Sequence, residues 1–252
     1  MKKSNLYLIK YELKNNLYNG YSFFFGAIFP MMMLVLISRS ITSDVPANMQ
    51  AKIITELFLS MSMIVPLASV FLGYAASYAN EREKNIPQRL NLYGIKQSRL
   101  FSSKLIANYI FFTFCLLVYC LSVFWVKIET PHIIPLLVWI LVLYVLSAFL
   151  LALAHGIANM IKSFGPTYGV VMGIYFVIMI LSGMMGISID NLPKFIQPIS
   201  HLLPTSQMNK DFVKYWVGRS YNFVPLIQSM LFFGAVSFII LLISFKVGSR
   251  KN

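Results

Sequence analysis

Six long stretches of this chain carry no Asp, Glu, Lys or Arg: Asn15 to Ser38, Leu57 to Asn80, Leu105 to Val126, Ile133 to Ile161, Ser163 to Ile189 and Ser220 to Phe245. A helix rises about 1.5 Å per residue, so each stretch is long enough to cross a hydrocarbon layer of about 30 Å. Composition agrees. The chain is 58% hydrophobic and only 12% charged, with a mean hydropathy of +0.72, outside the range of soluble domains. The expected fold is an all-α integral membrane protein with six transmembrane helices. It forms one domain over 1–252, with no room for a separate soluble one.

The formal net charge of +13 invites a nucleic-acid reading, but its distribution points to membrane topology. With the N-terminus in the cytoplasm, four segments become cytoplasmic: 1–16, 81–104, 161–164 and 246–252. They hold fourteen of the twenty-one basic residues, Lys104 among them, against three acids, Glu12, Glu81 and Glu83. That asymmetry is the positive-inside pattern. It implies a multi-pass protein of the cell membrane with both termini cytoplasmic, anionic leaflet lipids as partners of the excess charge, and no nucleic acid. Lys2 and Lys3 precede an apolar run, as in a secretory signal. That run begins only near Tyr21 and ends in Ser38-Arg39-Ser40 without a small-residue cleavage site, so it reads as a retained first span.

Two segments stand apart from the spans. Residues 4–18 place Leu6, Ile9, Leu13 and Leu17 on one helical stripe, with Lys10, Glu12, Lys14 and Asn16 around it and Tyr7, Tyr11 and Tyr18 suited to the headgroup layer. This predicts an amphipathic helix on the cytoplasmic surface. Residues 183–208 are mostly apolar but broken by Pro193, Pro198 and Pro204, and they carry Asp190, Lys194 and His201. A seventh span there would put Lys246, Arg250 and Lys251 outside, against the charge rule. Two half-helices dipping into the outer leaflet and returning fit better, an extracellular re-entrant pair before the last span.

The chemistry of an enzyme is missing. There is no G-x-x-x-x-G-K-[ST] loop for a nucleotide phosphate. The span centres carry no ionisable residue of the sort an ion-driven carrier keeps; Glu56 sits at an outer edge and His155 near an inner end. Cys115 and Cys120 lie five apart on one helix and have no histidine cluster beside them, so they read as packing residues rather than a bridge or metal site. His155 and Asn159 have the H-x-x-x-N spacing of intramembrane prenyl-endopeptidases. Glu81-Arg82-Glu83 lacks the adjacent glutamates and following Arg those enzymes need, and the protease is rejected. No catalytic residue, metal or cofactor is assigned to this chain.

The informative segment joins the second and third expected spans, from Glu81-Arg82-Glu83-Lys84 through Arg89-Leu90-Asn91-Leu92-Tyr93-Gly94-Ile95 to Ser98-Arg99. Pro87 opens a turn; Ile86, Arg89, Leu90 and Tyr93 follow at helical spacing; Gly94 suits a left-handed cap. A short helix results, one edge apolar and one basic.

An acidic pair around an Arg, an Arg-Leu helix, a Tyr-Gly-Ile turn and Ser-Arg together resemble the first cytoplasmic loop of type-2 ABC transporter permeases. The N-terminal helix, the six spans, and Leu192-Pro193 with Leu202-Leu203-Pro204-Thr205 extend the resemblance over essentially the whole chain. A large outer domain, which some relatives build, is absent. The resemblance implies that 84–98 is a coupling-helix region docking on a separate cytoplasmic ABC ATPase, which would hold ATP and Mg. Arg89, Leu90, Leu92, Tyr93 and Gly94 map onto the coupling helix; Glu81 and Glu83 map onto the acidic end before it.

On the fifth span Gly165, Gly169 and Gly173 recur every fourth residue, leaving a face where another helix can come close. That helix belongs either to the same chain or to a second permease. The resemblance, in which first and fifth spans pair across a two-fold axis, favours an interface with a second copy or a sister permease, with Gly26 of the first span as a further candidate.

The expected function is the permease of an ATP-driven exporter working by alternating access. A membrane immunity or sensor protein that binds a peptide without transporting it is the alternative. With 21 Phe and 14 Met, a pathway would suit amphipathic ligands. The Lys/Asn/Ile-rich usage is similar to that of staphylococcal permeases exporting cytolytic peptides (phenol-soluble modulins). Peptides are therefore favoured over lantibiotics, lipids or drugs.

Overall fold

The computed structural model describes residues 2–161, 163–184, 189–208 and 210–249. Lys162, Arg250 and Lys251 of the basic set, and positions 185–188 of the expected re-entrant segment, lie outside the described residues. Among the described residues there is no strand. Six helices among the described residues are long and apolar enough to cross a membrane: Phe24–Ile41, Ala47–Glu83, Ser98–Phe124, Ile133–Ile161, Phe164–Leu181 and Val224–Lys246. These are the first to sixth spans below.

The second span organises the rest. It is 37 residues long, and 94% of its most apolar window is buried, against 28% for the first and fifth spans. Its uncharged run, 57–80, is shorter than the helix itself. The helix continues at both ends into charged sequence, and at one end it carries Glu81, Arg82 and Glu83 clear of the apolar layer. Buried polar groups between spans find partners. Tyr119 Oη donates to the Phe58 carbonyl at 2.7 Å, and Trp139 Nε1 donates to Ser62 Oγ at 3.0 Å. Many large apolar side chains on the outer spans remain uncovered, among them Leu117, Leu137, Phe176, Leu231 and Leu242. Lipid is the solvent for which such a surface is built.

The first two spans cross at two proline-associated distortions. A π-helical turn, Phe24–Ile28, precedes Pro30, and a second, Leu67–Leu72, follows Pro66. Proline lacks the N–H that a regular turn needs, and a wider turn re-satisfies the ladder nearby. Gly26 lies in the first distortion. A Cβ there would stand 2.9 Å from Ser69 Cβ, so only glycine lets the two helices approach this closely.

The N-terminal helix, Lys2–Tyr18, packs along the start of the third span. Its protein-facing stripe is Leu8, Glu12 and Asn16, all buried, while Leu6 and Leu17 stay exposed. Between the fifth and sixth spans the three prolines keep helices short: Ile189–Asn191, Gln197–His201, Pro204–Gln207 and Lys210–Trp216. This segment is fastened to the connection between the third and fourth spans. Trp216 Nε1 donates to the Glu129 carbonyl at 2.9 Å, and the His132 N–H donates to the Trp216 carbonyl at 3.1 Å.

Candidate coupling site

At the opposite end of the second span the chain leaves the apolar layer, makes one short helix, Ile86–Leu92, and returns as the third span. Both ends of that helix are set by left-handed residues. Asn85 takes φ 54° before it, and Gly94 takes φ 82° after it. The Ile95 N–H reaches back to the Leu90 carbonyl at 3.0 Å and the Gly94 N–H to the Asn91 carbonyl at 2.9 Å, a Schellman cap. A Cβ at Gly94 would meet nothing within 4 Å, so the demand for glycine there is conformational, not steric.

The helix presents an unusual tip. Leu92 is 87% exposed and Tyr93 85%, although both are apolar and one turn away Leu90 and Ile86 are half-buried. Arg89 is exposed on the same helix.

Beneath this tip lies a rigid base. Lys104 is 3% exposed, and its Nζ sits 2.7 Å from Glu12 Oε2 and 2.6 Å from Glu81 Oε2. Asn15 Nδ2 donates to Ser77 Oγ at 3.0 Å and to Glu81 Oε1 at 3.2 Å. One buried lysine thus ties the N-terminal helix, the end of the second span and the start of the third. Glu12 Oε1 is buried without a hydrogen-bond partner. Burial pushes the Glu12 carboxyl above the usual range, outweighing the pull of the Lys104 ammonium.

The next two residues of the acidic end reach the other spans. Arg82 donates from one guanidinium nitrogen to the Asn159 carbonyl at 3.0 Å and also to Asn159 Oδ1. Asn159 Nδ2 in turn donates to the Ser244 carbonyl at 3.2 Å, linking fourth and sixth spans. Glu83 Oε2 accepts the Phe164 N–H at 2.7 Å, placing a carboxylate at the start of the fifth span, where a helix favours negative charge.

The structure therefore separates the sequence-derived residues into two groups. Leu92, Tyr93 and Arg89 face outward, with Gly94 and Leu90 shaping the turn. Glu81 is buried, Glu83 stays exposed while accepting the Phe164 N–H, and both hold the loop to the spans. Lys104, Glu12 and Arg82 complete that base and were not singled out from the sequence. A signal was present for Lys104: with Leu100, Ala107 and Phe111 it shares one buried helical face. His155 is held by Tyr74, whose Oη lies 2.7 Å from Nδ1, among the rings of Tyr78, Phe101 and Phe245.

The glycines of the fifth span and of the first differ. Among the described residues, a Cβ at Gly165, Gly169 or Gly173 would meet nothing within 4 Å, so their face is bare there. Gly26 is buried against the second span, and its close approach is made inside the chain.

The family model described as ABC-2 family transporter protein matches residues 38–246, which take in the loop helix, Lys104 and the last five spans. The chain belongs to this family. No curated protein matches it. An ABC-2 chain is the membrane component of an ABC transporter and is not itself catalytic, and membership implies an ATPase partner. The N-terminal helix that supplies Glu12 precedes the matched region.

Proposed function

We propose that this ABC-2 chain is the permease of an exporter that moves amphipathic substrates outward, powered by separate cytoplasmic ATPase subunits. One observation carries the reading: an exposed apolar tip, Leu92 and Tyr93, stands on a base that reaches all the neighbouring spans. A tip alone would be a docking surface. A tip rigidly joined to the spans also transmits displacement. In this account the ATPases hold ATP and Mg, and their closure draws the loop helices of two permeases together. Glu81 and Lys104 then move the second and third spans as one body, Arg82 engages the fourth and sixth, and Glu83 the fifth.

The bare glycine face of the fifth span supports a permease dimer, of two copies or of sister chains, because nothing among the described residues covers it. The charge bias supports a plasma-membrane protein with both termini in the cytoplasm. Residues 183–208 fit an extracellular re-entrant piece, since short proline-broken helices need protein or a wet cavity around them. The Phe and Met content supports an amphipathic cargo, and the similarity to staphylococcal peptide-exporting permeases favours cytolytic peptides ahead of drugs or lipids.

The test is ATP-dependent accumulation of a fluorescent amphipathic helical peptide in inside-out vesicles carrying the chain and its co-purifying ATPase. Accumulation that stops when ATP is replaced by a non-hydrolysable analogue supports export. Peptide binding without accumulation would assign the chain to the immunity or sensor class.

A further inference from the structure

A cleft of about 270 Å³ opens between the N-terminal helix and the start of the third span. Its walls include Asn5 and Ile9 on one side and Lys96, Ser98, Arg99 and Ile106 on the other. No acidic residue lines it. Glu12, on the same N-terminal helix, points to Lys104 instead. Neither Lys96 nor Arg99 forms an ion pair among the described residues. The cleft therefore gathers two cations, three serine hydroxyls and an amide, with no acidic side chain among the described residues that line it. An ammonium and a guanidinium fork are the donors that recognise phosphate oxygens.

The apolar surroundings narrow the choice of phosphate. Ile9 and Ile106 also line the cleft. From Ile106 an uninterrupted exposed stripe continues along the third span through Ile110, Phe114, Leu117 and Leu121. Spacings of three and four keep these side chains on one helical face. A charged pocket at one end of a span, leading directly onto an uncovered apolar stripe, matches a molecule with a phosphate head and a long tail. A soluble phosphate would use the first and leave the second without a purpose.

We infer that this cleft binds the phosphate group of an anionic phospholipid, with an acyl chain lying along the Ile106–Leu121 stripe. The lipid wedges the N-terminal helix against the third span beside Lys104. It thereby braces the base of the loop helix from the membrane side. The inference rests on the membrane placement of the chain and not on the direction or cargo of transport.

The experiment uses the purified full-length chain without ATPase, in nanodiscs of phosphatidylcholine doped with a diazirine-tailed phosphatidylglycerol. Adducts are mapped by mass spectrometry. The expected result is labelling of the third span near Ile106 and Ile110, well above that from a diazirine-tailed phosphatidylcholine. A basic residue at a membrane surface contributes about a fivefold preference for anionic lipid. Lys96→Gln combined with Arg99→Gln should therefore reduce the labelling by roughly twentyfold. Lys84→Gln, an exposed cation on the other side of the loop helix, should leave it unchanged. Thermal unfolding of each variant checks that the fold is kept. Equal labelling by the two lipid probes, or undiminished labelling in the double variant, overturns the proposal. So does displacement of the phosphatidylglycerol probe by inorganic phosphate, which would assign the cleft to a soluble anion. Since no ATPase is present, none of these outcomes bears on the exporter reading, whose own test is vesicle uptake.

Discussion

Lys104 Nζ stands 2.6 Å from Glu81 Oε2, inside the protein, where the second span ends and the third begins. The loop helix is the excursion between these two residues. The bond closes its base, and in the proposed account it passes displacement of the tip at Leu92 and Tyr93 to both spans.

Removing the cation should show how much depends on it. Breaking a buried ion pair by deleting one partner typically costs about 3–5 kcal/mol, because the remaining charges stay buried without compensation. Lys104→Met is expected to lower stability by about that amount, read as thermal unfolding in detergent. Neutralising all three positions, with Glu12→Gln and Glu81→Gln added, should recover most of the loss. A Lys104→Met protein as stable as the parent would show that the cluster is not under load.

Acidity gives a second reading of the same cluster. The Glu12 carboxyl is held above its ordinary range by burial, so the folded protein binds its proton more tightly than the unfolded chain does. That contribution is complete below the unfolded value, about 4.3, and is lost as pH rises through the raised folded value. Glu12→Gln should match the parent at low pH and become progressively more stable than it above that window. Parallel stability curves for the two proteins would contradict the assignment.

The two left-handed residues around the loop helix should respond in opposite ways. At Gly94, φ 82° is costly for any L side chain even though the space is open. Gly94→Ala is expected to cost about 1–2 kcal/mol, or to distort the turn and weaken coupling at normal expression. Asn85→Gly, at φ 54°, removes a side chain from a conformation glycine takes freely and should leave expression and coupling intact. Transport assays on both variants, normalised to membrane yield, make the comparison.

Glycines also separate folding from assembly. Gly169→Leu and Gly173→Leu enter space that is empty within the chain, so the monomer should insert normally. If a second permease packs there, overfilling the contact costs about 1–3 kcal/mol, and cross-linked dimer should fall roughly tenfold. Gly26→Leu, 2.9 Å from Ser69, should instead reduce the yield of folded protein. Normal dimer with poor yield at Gly169 would place that face inside the monomer.

Much of this architecture was legible in the sequence because lipid imposes one dominant rule. Six uncharged runs correspond to six helices, and Pro87 and Gly94 bracket the loop helix as expected. What escaped was the direction of polar side chains at the span ends. Glu81 and Lys104 look like any charges beside apolar runs, and a charge count places both simply at the membrane surface. Packing decides otherwise. The second span overruns its apolar run as far as Glu83, which puts Glu81 beside the buried face of the third span, and there it pairs with Lys104. For the same reason the N-terminal helix turns Leu8, Glu12 and Asn16 inward, whereas a purely apolar stripe would have chosen Leu6 and Leu17. Gly26 was equally ambiguous, since a small residue permits close approach without naming the partner.

The central claim is that Leu92 and Tyr93 dock the ATPase while Glu81 and Lys104 pass its motion on. The most direct measurement is affinity purification of the tagged chain from its own cells, with quantification of the ATPase that accompanies it. Leu92→Asp combined with Tyr93→Asp places two charges where an apolar contact is proposed, and anchors of this kind are worth about 2 kcal/mol or more each. The account predicts that the double variant inserts normally and retains less than about a tenth of the ATPase bound by the parent. Full retention with unchanged ATP-driven transport would contradict it.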